Sequence, residues 1–171
     1  MPKPRVLVDT CIIIEAFRTQ CWTALCHTFS VETVEKCVEE CATGDPYDTK
    51  RTIVRRPTLL ASLACVHAVS VTDLLNLSDQ VKGLPAIDDG ERHMMAWLHA
   101  NQPVDVALLL STSDRAAIRA ANALGLLAQV SSLESLGKTA GVDKAQLSKL
   151  KEHFSEQWLS SARLKIKMGI V

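Results

Sequence analysis

The sequence predicts an α/β protein, a three-layer α/β/α sandwich with a mainly parallel central sheet and a C-terminal helical extension. Three observations predict it. Short apolar runs alternate with segments of helical spacing along most of the chain. Two of those runs, residues 6–8 and 106–110, are apolar without interruption, as strands buried on both faces are. Each is followed closely by an aspartate, Asp9 and Asp114, that leads into a helical pattern.

Taken in order, residues 6–8 form the first strand and 12–18 a helix, with a second short helix at 22–25. Residues 27–31 read as the second strand. Residues 32–42 carry apolar side chains at 34, 37, 38 and 41, a helical period, and Gly44, Asp45 and Pro46 end that helix. Residues 43–57 are polar and basic, the least core-like part of the first half. A short helix at 58–64, a strand at 66–71, a helix at 74–81 and a loop at 83–87 follow. Asp88 or Asp89 caps a helix over 91–100, with Met94, Met95 and Leu98 facing inward. Residues 101–103 break it. The strand at 106–110 leads through Ser111, Thr112, Ser113 and Asp114 to an Ala-rich helix at 115–124, stopped by Gly125. Residues 126–130 read as a last strand.

Beyond Gly141 a different element begins, one long helix or two shorter ones over 143–167. The chain therefore divides at 1–140 and 141–171. Phe154 and Trp158 dock on the domain or on a partner, and Arg163, Lys165 and Lys167 give the last helix a basic end.

Composition bounds the function classes. Of 171 residues, 47% are hydrophobic and 22% charged, the balance of an ordinary globular domain. The 19 basic and 19 acidic residues cancel, so any case for nucleic-acid binding rests on local patches. Asp9 cuts short the only early apolar run, and no stretch is long enough to span a bilayer. The expectation is a soluble cytoplasmic protein that does not engage a membrane. Cys11, Cys21, Cys26, Cys37, Cys41 and Cys65 show no zinc spacing, and buried free thiols are expected.

The carboxylates carry the chemistry. At the carboxyl end of a parallel strand Asp9 is placed where ligands bind, although capping the next helix explains it equally well. Asp114 occupies the same topological position after its own strand. Glu91 starts a helix directly after Gly90, and Glu39 and Glu40 lie near the end of the 32–42 helix. If the strands are adjacent these acids converge on one sheet edge. Carboxylates held that close repel, so some stay protonated or a divalent cation sits between them. An oxygen-only cluster suits Mg²⁺ or Mn²⁺, which can position phosphate and activate water.

Four motifs resemble those of the PIN-domain family, similar to the VapC-type ribonucleases of toxin–antitoxin systems, over roughly residues 5–137. Val8-Asp9-Thr10 resembles the opening motif and supplies the first acid. The segment from Glu40 to Gly44 resembles the Glu-Leu-x-x-Gly pattern of the second acid, with Glu39 as the competitor. Gly90-Glu91-Arg92 resembles a Gly-Glu-Arg variant, and Thr112-Ser113-Asp114-Arg115 the Thr-x-Asp-Arg motif of the last acid. The resemblance implies a Mg²⁺- or Mn²⁺-dependent endoribonuclease with Asp9, Glu40, Glu91 and Asp114 as catalytic and metal-binding acids. It places Thr10, Thr112 and Ser113 behind them, with Thr112 or Ser113 orienting metal-bound water. It also implies RNA as substrate, an antitoxin or other protein partner, and a homodimer.

Lys50, Arg51, Arg55 and Arg56 form a basic segment that suits a phosphate backbone, or is simply a solvated loop. The five histidines are scattered without a partner at a catalytic spacing. A receiver domain needs paired early acids and a late lysine, and a haloacid-dehalogenase-type phosphatase needs Asp-x-Asp. Asp9 is followed by Thr10 and Cys11, which fits neither. The competing class is a degenerate PIN-like domain acting as a non-catalytic RNA- or protein-binding module.

Overall fold

The structure is a computed structural model, and it describes residues 2–43, 52–82, 84–101 and 108–170. Its centre is strand β1, Arg5–Val8. β1 pairs in parallel with β2, Ser30–Val34, on one side and with β4, Leu108–Ser111, on the other. β3, Cys65–His67, extends the sheet beyond β2, again in parallel, giving the order β3-β2-β1-β4.

The alternation of a strand decides which residue meets which layer. Leu7 points into a core shared with Leu110. Val6, Val8 and Val31 point into the other. Because β1 is covered on both faces it carries no polar residue between Arg5 and Asp9.

The helices supply those two cores. α1 (Thr10–Arg18), α2 (Trp22–Thr28) and α4 (Arg56–Ser62) contribute Ile12, Ile13, Ala16, Trp22, Leu25 and Leu59 to the Val6 side. α3 (Glu35–Ala42) serves both sides, with Cys37 in one core and Val38 and Cys41 in the other. α5 (Val71–Gln80), α6 (Asp89–Asn101) and α7 (Arg115–Ala123) place Leu77, Met94, Met95, Ala117 and Ile118 on the Leu7 side. α8 (Leu133–Thr139) returns to the Val6 side through Leu133 and Leu136. A short α9 (Lys144–Leu147), a 3₁₀ turn over Glu152–Phe154 and α10 (Glu156–Lys167) complete the described chain. The result is an α/β fold with helices on both faces of a parallel sheet. Among the described residues no helix is long and apolar enough to cross a membrane.

Several elements differ from the sequence expectation. The second strand is Ser30–Val34 rather than 27–31, α2 runs on to Thr28, and α3 starts only at Glu35. The cause is Glu32, which reads as a helix start but lies 4% exposed inside the sheet. Its carboxylate accepts hydrogen bonds from Arg5 Nε at 2.6 Å and meets His67 Nε2 at 2.7 Å. His67 in turn stacks on Trp97 with ring centroids 4.0 Å apart. The strand expected over 66–71 shortens to Cys65–His67 because Ser70 and Asp73 form a reciprocal capping box that draws Val71 into α5.

No strand forms over 126–130. Gly125, at φ 75, turns the chain so that Leu126 N–H donates back to Ala121, and Leu127–Gln129 closes as a 3₁₀ turn. Val130 alone reaches the sheet, through one parallel bridge to Leu110. α8 replaces what the sequence left unassigned, started by the Ser132 hydroxyl accepting Ser135 N–H. Of the strand expected over 106–110, Val106 and Ala107 lie outside the described residues, as do Gly44, Asp45 and Pro46 after α3. The six cysteines are free, with Cys21, Cys37 and Cys41 buried but Cys11 and Cys65 exposed.

The C-terminal segment forms the shorter pair of helices, α9 and α10, with the 3₁₀ turn between them. Lys151 N–H donates to Glu15 Oε1 at 2.9 Å, and the Ser155 hydroxyl caps α10, so the chain breaks between them. Phe154 enters the Val6 core, while Leu159 and Ala162 enter the Leu7 core. Glu15 is only 2% exposed and also accepts Arg18 Nε at 2.7 Å. Burial pushes its carboxyl up, but Arg18 and the Lys151 amide more than offset this and hold it below the usual glutamate range.

A depressed carboxyl stabilises the fold above its unfolded pKa and loses that contribution as pH falls through the folded value. Glu15→Gln is therefore expected to lower stability at neutral pH by on the order of 1–2 kcal/mol, read from urea midpoints. The deficit should shrink below the ordinary glutamate pKa. A constant deficit down to acid pH would refute the ionic account.

Candidate functional site

Three of the four acids, Asp9, Glu91 and Asp114, owe their position to a helix beginning. At the end of β1, Asp9 Oδ1 accepts Ile12 N–H at 2.8 Å and caps α1. At the end of neighbouring β4, Asp114 Oδ1 accepts Ala117 N–H at 2.8 Å and caps α7. The parallel pairing of β1 with β4, extended by Asp9 N–H donating to Ser111, brings these two helix starts side by side. Asp9 is thus a cap as well as a buried acid at a strand end.

Glu91 lies in the first turn of α6, 8% exposed, with Oε2 accepting Asp88 N–H at 3.3 Å. Glu40, on α3, has both oxygens engaged. Oε2 accepts the Thr10 hydroxyl at 2.6 Å, and Oε1 accepts Gly90 N–H at 2.9 Å. Its neighbour Glu39 faces solvent and pairs with Lys36 at 3.1 Å. Thr10, Cys11, Glu40, Asp88 and Glu91 line an open cleft of about 480 Å³.

The electrostatics set Asp9 and Glu91 apart. Burial pushes Asp9 up to about 6, against the Thr112 hydroxyl and the Ile12 amide, and the charge of Asp114 adds to the rise. Burial likewise pushes Glu91 up to about 8, with Asp9 and Asp114 both raising it further. Asp9 therefore feels Asp114, and Glu91 feels both aspartates. Asp9 Oδ2 is buried without a hydrogen-bond partner, which is costly for a carboxylate and marks the point where charge is uncompensated.

The other side chains expected at the site are distributed unevenly. Thr10 touches Glu40 directly. Thr112 is buried, and its Oγ1 accepts Asp114 N–H at 3.2 Å. Ser113 is buried between them in sequence. Arg55 and Arg56 are exposed at the start of α4 and do not line the cleft. Lys50 and Arg51 lie outside the described residues.

As placed, no three His, Cys, Asp or Glu side chains among the described residues form a group able to hold a metal ion. The local hydrogen bonds explain this, since each acid turns at least one oxygen to a nearby amide or hydroxyl. The donor set is nevertheless all oxygen, with one buried oxygen unsatisfied, and that chemistry fits a hard divalent cation.

Sequence reasoning passed over the latch between Gly90 and Glu40. A Cβ at Gly90 would stand 2.4 Å from Glu40 Oε2, whose position Thr10 already fixes. The residues touch only after folding, and no local signal announces the contact. Compared with family models, curated proteins and solved structures, the chain matches none.

Both the repulsion and the latch have measurable effects on stability. A carboxyl with a raised folded pKa weakens the fold as pH rises from its unfolded to its folded value. Without divalent cations, melting temperature should therefore fall between about pH 4 and 8, and Asp9→Asn or Glu91→Gln should flatten the decline. Scanning calorimetry in chelator measures this, and a flat wild-type profile would count against mutual repulsion. Separately, alanine at an ordinary helical glycine adds about 1 kcal/mol. Gly90→Ala should instead cost on the order of 1–2 kcal/mol by displacing the Glu40 carboxylate. A stabilised variant would show that the latch is slack.

Proposed function

We propose that this protein is a metal-dependent endoribonuclease with a PIN-like architecture, hydrolysing RNA phosphodiester bonds at Asp9, Glu40, Glu91 and Asp114. The observation that carries the reading is the unpartnered, buried Asp9 Oδ2 at the end of the central strand, beside Asp114, whose charge raises Asp9, and Glu91, which both aspartates raise. The four motifs that resemble the family's acids fall around this one corner of the sheet.

Mg²⁺ or Mn²⁺ would be held by Asp9, Glu91 and Asp114, with Glu40 facing the same cleft. When bound, it supplies a charge that steadies the phosphodiester and makes water a stronger nucleophile. The chain's own groups do the positioning. Thr10 and Gly90 fix the Glu40 carboxylate. The Ile12 and Ala117 amides hold one oxygen each of Asp9 and Asp114, leaving the other for a ligand. Thr112 braces the Asp114 backbone, and Ser113 lies beside it to orient water. A toxin role with an antitoxin partner, and a homodimer, are supported by the family resemblance.

A second reading, a PIN-like module that binds RNA or protein without cleaving, is favoured by one observation. The acids as placed do not form a three-donor metal group. Cleavage of labelled single-stranded RNA with added Mn²⁺ separates the two. Wild type should cleave, and Asp9→Asn and Asp114→Asn should fall to background while staying folded, since each keeps a capping oxygen. RNA binding without cleavage by wild type would establish the second reading. Undiminished cleavage by both variants would remove these acids from the chemistry.

A further inference from the structure

The acid cleft has a basic neighbour. Arg115, the residue after Asp114, opens α7, and Arg119 follows one turn later on the same face. α10 packs alongside, and Arg115, Arg119, Trp158, Ser161, Lys165 and Ile166 line a depression of about 70 Å³ between the two helices. That is roughly the room of two water molecules, sized for a phosphate group rather than a whole nucleotide. The Arg115 guanidinium lies over the Trp158 ring, 5.6 Å from its centroid, which holds it at the mouth of the depression. A second, separate depression, of about 350 Å³, lies at the end of α7 and is lined by Arg163, Lys167 and Asn122 among others.

The cations along this seam form no ion pair among the described residues. Arg5, Arg18, Lys36, Arg92 and Lys138 each form an ion pair. Among the described residues Arg115, Arg119, Arg163, Lys165 and Lys167 form none, and no carboxylate lines either depression. Arg163 Nη2 donates to the Val130 carbonyl, and the acid whose charge acts on it, Glu156, is also engaged by Lys138 at 3.4 Å. The buried Nε atoms of Arg119 and Arg163 have no hydrogen-bond acceptor. In a chain of zero net charge, Arg115, Arg119 and Lys165 in one depression and Arg163 and Lys167 in the next form a local field rather than a bulk property.

We infer that the α7–α10 seam is a phosphate track, along which Arg115, Arg119 and Lys165 hold the backbone of single-stranded RNA as it leaves the acid cleft. The substrate class rests on the nuclease reading above. The seam itself rests on its own cations and on its start one residue from Asp114. Single-strand binding by a charged groove with aromatic and apolar surface beside it needs no base-specific contact, and Trp158, Ile166 and Ile170 supply that surface.

The test is binding of a fluorescein-labelled single-stranded RNA by fluorescence anisotropy over a salt series, in an Asp9→Asn background with Mg²⁺ present. Each cation removed from a phosphate of a single strand lowers the slope of log affinity against log salt by roughly 0.7, about fivefold in affinity at 0.1 M salt. Arg119→Ser with Lys165→Ser should therefore reduce the slope by about 1.4 and weaken binding by about 25-fold. Arg119 is half-buried, so Lys165→Ser with Lys167→Ser, both exposed, provides a second pair that leaves the packing alone. A reduced slope for that pair, with an unchanged melting temperature, supports the track.

If the background protein binds RNA and both pairs leave slope and affinity unchanged, the track is wrong and the nuclease reading is untouched. If the background protein does not bind RNA at all, both fall. Tight, salt-dependent binding of polyglutamate in place of RNA would assign the seam to an acidic protein segment and overturn the inference.

Discussion

A parallel strand with a neighbour on each side and a core on each face has only its two ends left for polar groups. β1 is such a strand, and the rest of the molecule follows from its isolation. Its amino end is closed by Arg5 reaching across to Glu32 on the next strand. Its carboxyl end must hand the chain to a helix, and a capping acceptor is needed there to satisfy the first helical amides. Asp9 fills that need, but at 1% exposure and beside a second capping aspartate. The requirement that caps α1 and α7 on adjacent strands therefore also concentrates negative charge at one edge of the sheet.

How much of this is legible in the sequence depends on how far away the deciding partner lies. Strand β1, helix α7 and the two aspartates after uninterrupted apolar runs declare themselves locally. Glu32 does not, because the groups that make a buried glutamate tolerable, Arg5 and His67, stand in different strands. Residues 126–130 are apolar enough for a strand, yet a turn at Gly125 spends that length on a 3₁₀ loop. At the site, the strand-end positions of Asp9 and Asp114 can be read from sequence. That Glu40 rather than Glu39 faces the cleft depends on where α3 begins, and Gly90 matters only because a glutamate from α3 approaches it.

The molecule balances its charges unevenly. Buried acids that serve the fold, Glu15 and Glu32, are each bound by cationic or amide donors from two directions. The acids around Asp9 are left to repel, and among the described residues Arg115, Arg119, Lys165 and Lys167 along α7 and α10 form no ion pair. Attraction thus fixes the scaffold's buried acids, while the acids around Asp9 and the cations that begin with Arg115 form no ion pair among the described residues. Structural ion pairs settle their own geometry, while charge left without a partner is the kind that clusters at functional sites.

The pairing of Val8 with Ser111 has a kinetic consequence. It closes a loop that spans most of the chain, and loop closure of that length must occur before β4 contributes any stabilisation. β1 can pair with β2 much earlier, because the intervening helices are short and local. Asp9 and Asp114 then meet only as the last strand docks, so their repulsion is absent from an early, β1–β2-centred transition state. In such a pathway the mutual charge speeds unfolding and leaves the folding rate nearly unchanged. The lifetime of the folded state, more than the ease of reaching it, is what the acid corner sets.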